Sequence, residues 1–461
     1  MLPTRRAFLA AAGAGVALSA AGRLAAADPD PFADIADPEI RAGVHAAITK
    51  TLNPAAAERV YPGHFTVTAD GHHYGADVTY PGLDGWQLAG AYLLLGRTRL
   101  VLDYFDFVRA SQRRDGNIPF VVMPGDAKPD TSTYLRGLKY PDDVFTYAPP
   151  PRAGRPPQSD LRPKKWVGLF DHWQPKANPL STLGAVSHIL TAAEIHDHAP
   201  DPAWLRDRLP SAEAAGRFLL TRRGANGLIG GSGFYTELPP RRGQDGVTQC
   251  YVTHAFTRLA GLSAAAGAPG REQWTAAADA LRAAFVREFW RADHFAEYIH
   301  PDRGVVDAHG LSDVNWAAVG LNVAGDEQVK RVWPRLTAEP AFWPGGMPTC
   351  SVTKPDTYEP WEYHEPLPFD PGVGPVRDAA AMGRVWYLEA LACRRTGAKE
   401  RLAESARLVC RAGLKADGFW SERYKPRPDG TVRPTGPRGY CEYPAVLVRA
   451  VLGNRSWFGR A

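Results

Sequence analysis

The chain has 461 residues, 54 Lys and Arg against 49 Asp and Glu, and a formal charge of +5 at pH 7. A balance so near neutral excludes a basic nucleic-acid face, and no Lys/Arg cluster is interleaved with aromatics at a stacking spacing. Five scattered cysteines, Cys250, Cys350, Cys393, Cys410 and Cys441, with no CxxC pair, argue against a disulfide framework.

The first element is a leader. "PTRRAFLAAAGAGVALSAAGRLAAADP" pairs a Thr-Arg-Arg-x-Phe-Leu start with a soft Ala/Gly run and an Ala25-x-Ala27 exit. It reads as a twin-arginine signal over residues 1–27, cleaved after Ala27. No later stretch is long and apolar enough to span a bilayer. The expectation is a protein exported folded to the periplasm or beyond, free of the membrane after cleavage. Loss of Arg5, Arg6 and Arg23 takes the charge from +5 to +2 (5 − 3).

Helical periodicity dominates the rest of the chain. A single helical piece is expected at Pro38–Thr51, and "HFTVTAD" is a short strand candidate. In "LVLDYFDFVRA", Val101, Tyr104, Phe105 and Val108 share one face, and with "AYLLLG" before it this makes a helical pair. The Pro-rich stretch Tyr147–Lys165 reads as a long loop within one domain. A second pair runs through "ILTAAEIHDHAPDPAWLRDRLPSAEAAGRFLLTRRG". Between it and the next lies "NGLIGGSGFYTELPPRRGQDG", a loop shaped by glycine and proline around Glu237. The third pair begins at "QCYVTHAFTRLAGL"; "FAEYIH" is a second strand candidate, and a further pair spans Asp313–Leu336. Gly267–Phe289 and Gly397–Phe419 are equal intervals, each ending in Phe-Trp. Single pieces at Pro38–Thr51 and Tyr440–Leu452 are left to form a sixth pair. Six hairpins with long irregular loops at one end fit a closed all-α (α/α)6 toroid over residues 28–461 better than an open solenoid.

No metal and no cofactor is expected. His72-His73 is adjacent, His196 and His198 are two apart on a helix, and there is no HExxH, Walker, dinucleotide or Gly-x-Ser-x-Gly pattern. Carboxylates beside aromatics stand out instead, and 13 Trp, 17 Tyr and 18 Phe point to a saccharide partner. A pair of carboxyl groups can cleave a glycosidic bond, one protonating the leaving oxygen and the other activating water or attacking the anomeric carbon. The candidates are Glu237, Glu362 and Glu442 for catalysis. Asp84, Trp86, Asp171, Trp173, Tyr235, Arg241, Asp313, Trp316, Trp361 and His364 are candidates for substrate binding. Structural alternatives stand beside each: Asp84 and Asp313 as helix caps, Asp245 as turn chemistry, Glu422 with Arg423 as a surface ion pair. Each Trp taken alone is equally a core residue. Glu237 has a solvated loop acid as its alternative, and Glu442 an acid favoured by a helix N-terminus.

"LDGWQLAGAYLLLGR" with "QRRDGNIPFVVMPG" resembles the Gly-Trp helix and Asp-Gly-x-x-Pro segment of bacterial α-L-rhamnosidases, within the six-hairpin glycosidases. "DTYEPWEY" resembles the Trp-Glu element there, which implies Glu362 as the base. "GFYTELPPRRGQDGVTQCYVTHAFTRLAG" is similar to the processing α-glucosidase and trehalase type, which implies Glu237 as general acid and Glu442 in "CEYPA" as base. Glu362 is preferred narrowly to Glu442. The resemblance implies inverting hydrolysis. Two other readings remain: a polysaccharide lyase or unsaturated uronide hydrolase, using Tyr235 with Arg241 or His364 with Tyr363, and a non-catalytic saccharide-binding toroid.

Overall fold

The computed structural model of the protein describes residues 32–56, 63–70, 78–82, 85–124, 145–147, 166–169, 182–231, 239–362, 369–370, 374–375 and 379–459. Helix α1 (Pro38–Ala46) continues through a π-helical turn, Ala47–Leu52, into the short α2 (Asn53–Ala55). Then come α3 (Gly85–Leu94), α4 (Thr98–Arg109), α5 (Leu183–His198), α6 (Pro202–Thr221), α7 (Gly246–Ala265) and α8 (Arg271–Phe289). The chain goes on through α9 (Asp313–Gly320), α10 (Asp326–Ala338), α11 (Gly383–Thr396), α12 (Lys399–Lys415), α13 (Glu442–Leu452) and the single turn α14 (Arg455–Phe458).

Two kinds of helix alternate. Gly85–Leu93 of α3, Asp313–Val319 of α9 and Glu442–Val451 of α13 are buried at every residue. By contrast α10 buries only Val332 and Leu336. A helix buried on all faces must be enclosed by others, whereas one apolar stripe needs a single neighbour. The packing follows that rule. Helix α3 packs on α5, α5 on α7, α7 on α9, α9 on α11, α11 on α13, and α13 returns to α3. The more polar α4, α6, α8, α10 and α12 lie against their hairpin partners on the outside. Helix α1 packs on α12, and its π-turn on α13, so the chain's first and last helical pieces meet as the sequence anticipates.

Local signals explain the hairpins. Asp37, Asp201 and Asp245 cap α1, α6 and α7 by accepting backbone N–H bonds from the first turn. Gly96, Gly267 and Gly397 turn three hairpins at φ of +74°, +66° and +73°. None has an atom within 4 Å of where a Cβ would stand, so the left-handed backbone and not lack of space requires glycine there.

The strands are short and lie in the connections. Strands β1 (Val121–Pro124), β2 (Phe145–Tyr147) and β3 (Trp166–Leu169) form an antiparallel sheet in the order β1-β3-β2. Strands β4 (Gln244–Asp245), β5 (Tyr298–His300) and β6 (Gly304–Val306) form a second, with β4 leading into α7. A two-stranded pair, β7 (Phe369–Asp370) and β8 (Gly374–Pro375), comes next. The last sheet joins β9 (Ala381–Met382), which leads into α11, to β10 (Ser421–Pro426) and β11 (Val432–Arg438). "FAEYIH" contains β5, but "HFTVTAD" forms no strand. Its backbone bonds scatter, Thr66 N–H to Ala55, Ala69 N–H to Gly439 and the Cys441 N–H to Val67, so no ladder develops.

Candidate active site

The six enclosed helices share a direction. Their C-terminal halves surround one cavity, from Leu94, Asp197, Arg258, Asn322, Arg395 and Leu452, so their N-termini gather at the opposite end. Acids concentrate at that opposite end. Asp245 is the N-cap of α7, Asp313 opens α9, and Glu442 opens α13. A helix N-terminus presents unpaired N–H groups and a positive pole, which favours a carboxylate.

Arg241 organises the first acidic group. Its Nε donates to Glu297 Oε1 at 2.7 Å, Nη1 to Asp245 Oδ1 at 3.0 Å and Nη2 to Asp313 Oδ1 at 2.7 Å. All four side chains are at most 3% exposed. Glu297 passes the network on. His309 Nδ1 lies 2.5 Å from Glu297 Oε2, and its Nε2 lies 3.1 Å from Glu362 Oε2. Glu362 also accepts from the Tyr298 hydroxyl at 2.6 Å and from the Glu359 N–H at 2.8 Å. The result is a line of alternating charge: Arg241, Glu297, His309, Glu362.

Burial and partners set the protonation states. Burial pushes Asp313 up, Arg241 pulls it back and Asp245 pushes again, leaving it at about 6. Burial also opposes the charge on Glu297, but Arg241 and the His309 hydrogen bond prevail and hold it at about 2. For His309 burial disfavours the proton, yet hydrogen bonds to Glu297 and Glu362 raise it to about 9. At neutral pH His309 is therefore imidazolium, with both ring nitrogens donating. Tyr298 is held neutral by burial and by its bond to Glu362.

The second acidic group surrounds Glu442. Its Oε1 accepts the Arg384 N–H at 2.7 Å, and the Arg384 guanidinium lies 3.5 Å from the same oxygen. Glu422 stands on the other side of Arg384 at 4.0 Å and pairs with Arg423 at 3.0 Å. Glu422 is 5% exposed, so its pair with Arg423 is a buried contact and not the surface pair expected. Gly383 allows the close approach: a Cβ there would stand 2.9 Å from Glu442 Cγ and 2.7 Å from the Tyr443 nitrogen.

The structure brings together Arg241, Asp313 and Glu362 in one network and places Glu442 at the start of α13, two helices round the ring from α9. It places two tryptophans away from the acidic rim. Trp316 is fully buried, edge-on to Trp333 and Phe342, and belongs to the core. Trp86 is buried, edge-on to Tyr251 and Tyr387, and lines the cavity at the far end. Direction explains both: neighbouring helical residues point about 100° apart, so an aromatic beside a rim acid need not face the rim. Arg241 is buried, with a carboxylate on each of its three guanidinium nitrogens. Trp361 is half-buried, with Arg303 4.3 Å above its ring and His300 at its edge. Asp84, Asp171, Trp173, Tyr235, Glu237 and His364 lie outside the described residues. Sequence reasoning missed Glu297, His309 and Arg384. The one usable signal was an acid set between the apolar Phe295, Ala296 and Tyr298; His309 and Arg384 carry none.

No protein-family model and no curated protein sequence matches the chain. Solved structures do share its fold. The GH63 mannosylglycerate hydrolase of Thermus thermophilus, in complex with glucose, superposes with a TM-score of 0.57 at 14% identity, covering 91% of this chain and 100% of that one. A rhamnosidase from Klebsiella oxytoca with rhamnose bound gives 0.57 at 13% identity, covering 93% of this chain and 65% of that one. The GH78 family rhamnosidase of Bacillus sp. GL1 gives 0.53 at 14% identity, covering 91% of this chain and 35% of that one. The chain thus spans about a third and about two thirds of the two rhamnosidases. It resembles six-hairpin glycosidase-type enzymes in fold, and identities this low speak to the fold alone.

Proposed function

We propose that residues 28–461 form one (α/α)6 domain that hydrolyses a glycosidic bond at the N-terminal rim of its enclosed helices. One observation carries the reading: buried acids start α7, α9 and α13 at the same end of a closed helical ring. Fold likeness to glycoside hydrolases supports it.

Glu237 is the general acid and Glu442 the base. Glu442 takes precedence over Glu362 because it opens an enclosed helix among the other rim acids, whereas Glu362 stands in the connection after α10, bonded to Tyr298, His309 and the Glu359 N–H. The α13 N-terminus and Arg384 place positive charge beside Glu442. The sugar ring lies between the two carboxyl groups, water is held by Glu442, and configuration inverts. Glu362 instead fixes the connection after α10 through His309. The lyase reading that uses Tyr235 with Arg241 loses ground, since Arg241 is occupied by protein carboxylates; the pair His364 and Tyr363 lies outside the described residues. Export by the twin-arginine route, with loss of residues 1–27, belongs to the same proposal and rests on the leader sequence.

The test is a panel of aryl glycosides and bacterial and plant polysaccharides, read by released reducing ends and by absorbance of unsaturated product. Hydrolysis without an unsaturated chromophore, and with the inverted anomer appearing first in proton NMR, supports the reading. An unsaturated product, or no turnover across the panel, counts against it.

A further inference from the structure

At the end of the ring away from the acids, the enclosed helices surround a cavity of about 710 Å³. Its wall carries Glu194, Asp197, Arg258, Arg394, Arg395 and Arg449, two acids against four guanidinium groups. Three of the four cations have protein partners. Arg449 donates to the Trp86 carbonyl at 3.1 Å and to the Tyr387 hydroxyl at 2.8 Å, and it also pairs with Glu194. Arg258 donates to Asp197 at 2.5 Å and to the Ala193 carbonyl at 3.3 Å. Arg395 donates to the carbonyls of Val319 and Ala324 at 3.0 and 2.8 Å. Helix C-termini carry a negative pole and free carbonyls, so much of this positive charge is matched by the ends it ties down.

Arg394 is what this matching leaves over. It is exposed at the cavity wall, and among the described residues no group accepts a hydrogen bond from it. It lines the same cavity as Tyr387 and Arg449. His254 lines the same cavity. Burial and the charges of Arg258 and Arg449 lower its pKa to about 4, so at neutral pH the ring offers one donor and one acceptor. Asn322 adds an amide at the mouth.

We propose that this cavity binds a small hydroxylated anion, a sugar acid or sugar phosphate, with Arg394 taking the charge and His254 and Asn322 taking hydroxyl groups. The volume suits one such molecule, since small-ligand sites span roughly 300–1,000 Å³. The site is separate from the proposed catalytic rim, at the other mouth of the same ring.

Calorimetric titration of the full chain with sodium D-glucuronate, D-glucose 6-phosphate and D-glucose tests this. The expected result is binding of one or both anions, with glucose at least about tenfold weaker. Which anion binds separates a carboxylate from a phosphate ligand. Arg394→Ala, a change at an exposed position, should weaken the anion at least about tenfold and leave thermal unfolding unchanged. His254→Phe should weaken it further, and Glu442→Gln at the other end should have no effect. Absence of anion binding, equal affinity for glucose, full affinity in the Arg394→Ala variant, or loss of affinity in Glu442→Gln would each overturn the proposal.

Discussion

Replacing Arg241 by Met removes the one cation that three buried carboxylates share. Asp245, Glu297 and Asp313 lie 3.0, 2.7 and 2.7 Å from its guanidinium nitrogens, and none is more than 3% exposed. Breaking a buried ion pair by deleting one partner costs about 3–5 kcal/mol, because the remaining charge is left buried. Arg241→Met should therefore lose about 4 kcal/mol at pH 8. Acid should restore part of it. Without Arg241 the folded-state pKa of Glu297, held at about 2, rises above the unfolded value, and that of Asp313, already raised to about 6, rises further. Stability from such a group is present at low pH and is lost as pH rises through the folded pKa. One proton held between pH 5 and pH 8 contributes roughly 4 kcal/mol. The deficit at pH 5 should thus shrink by at least about 2 kcal/mol. Urea unfolding followed by tryptophan fluorescence at the two pH values measures both. A loss under about 1 kcal/mol, or one that does not change with pH, would refute the reasoning.

Other perturbations probe the same network and its scaffold. His309, raised to about 9 from an ordinary 6.5, contributes stability that is complete below pH 6.5 and lost as pH rises through 9. At about 1.4 kcal/mol per pH unit that is roughly 3 kcal/mol. The stability difference between wild type and His309→Gln should shrink by that order between pH 6 and pH 10, and a flat difference contradicts the assignment. Trp316→Ala should cost about 3–5 kcal/mol in urea unfolding, while Trp316→Phe leaves KM for a hydrolysed saccharide unchanged, as befits a core ring. In Gly413→Ala the new Cβ would stand 2.0 Å from the Trp420 ring. A melting curve should register a loss of about 1–3 kcal/mol.

What the sequence disclosed divides along physical lines. Helical stripes and the Gly96, Gly267 and Gly397 turns are local, so the hairpins could be read directly; the capping acids were not, since Ser312 and not Asp313 holds the N-cap of α9, and Asp245, expected only in a turn, caps α7. Closure was read from long irregular loops gathered at one end of the hairpins, and the helices α3, α9 and α13, buried all round, agree with it. The pairing of the first and last pieces came from counting hairpins. The site was less legible because its contacts are distant in sequence. Arg241 finds Glu297 56 positions on and Asp313 72 positions on, and His309 finds Glu362 53 positions on. No window contains such a network. The same limit applies to Trp86 and Trp316, whose residue type fits a sugar platform while their direction on the helix puts them in packing. Glu442 shows the converse: opening α13 made a helix-terminal acid and a catalytic base indistinguishable in sequence, and the ring of helix starts around it gives the second reading its support.

Turnover of a glycoside by wild type, Glu442→Gln and Glu362→Gln, with melting curves for all three, tests the central claim most directly. The account predicts that Glu442→Gln lowers kcat by about 100- to 10,000-fold in protein still folded at the assay temperature, although loss of the buried pair with Arg384 also lowers its melting temperature. It predicts that Glu362→Gln lowers the melting temperature and leaves kcat within about tenfold. Wild-type kcat in Glu442→Gln would contradict the placement of the base at the head of α13.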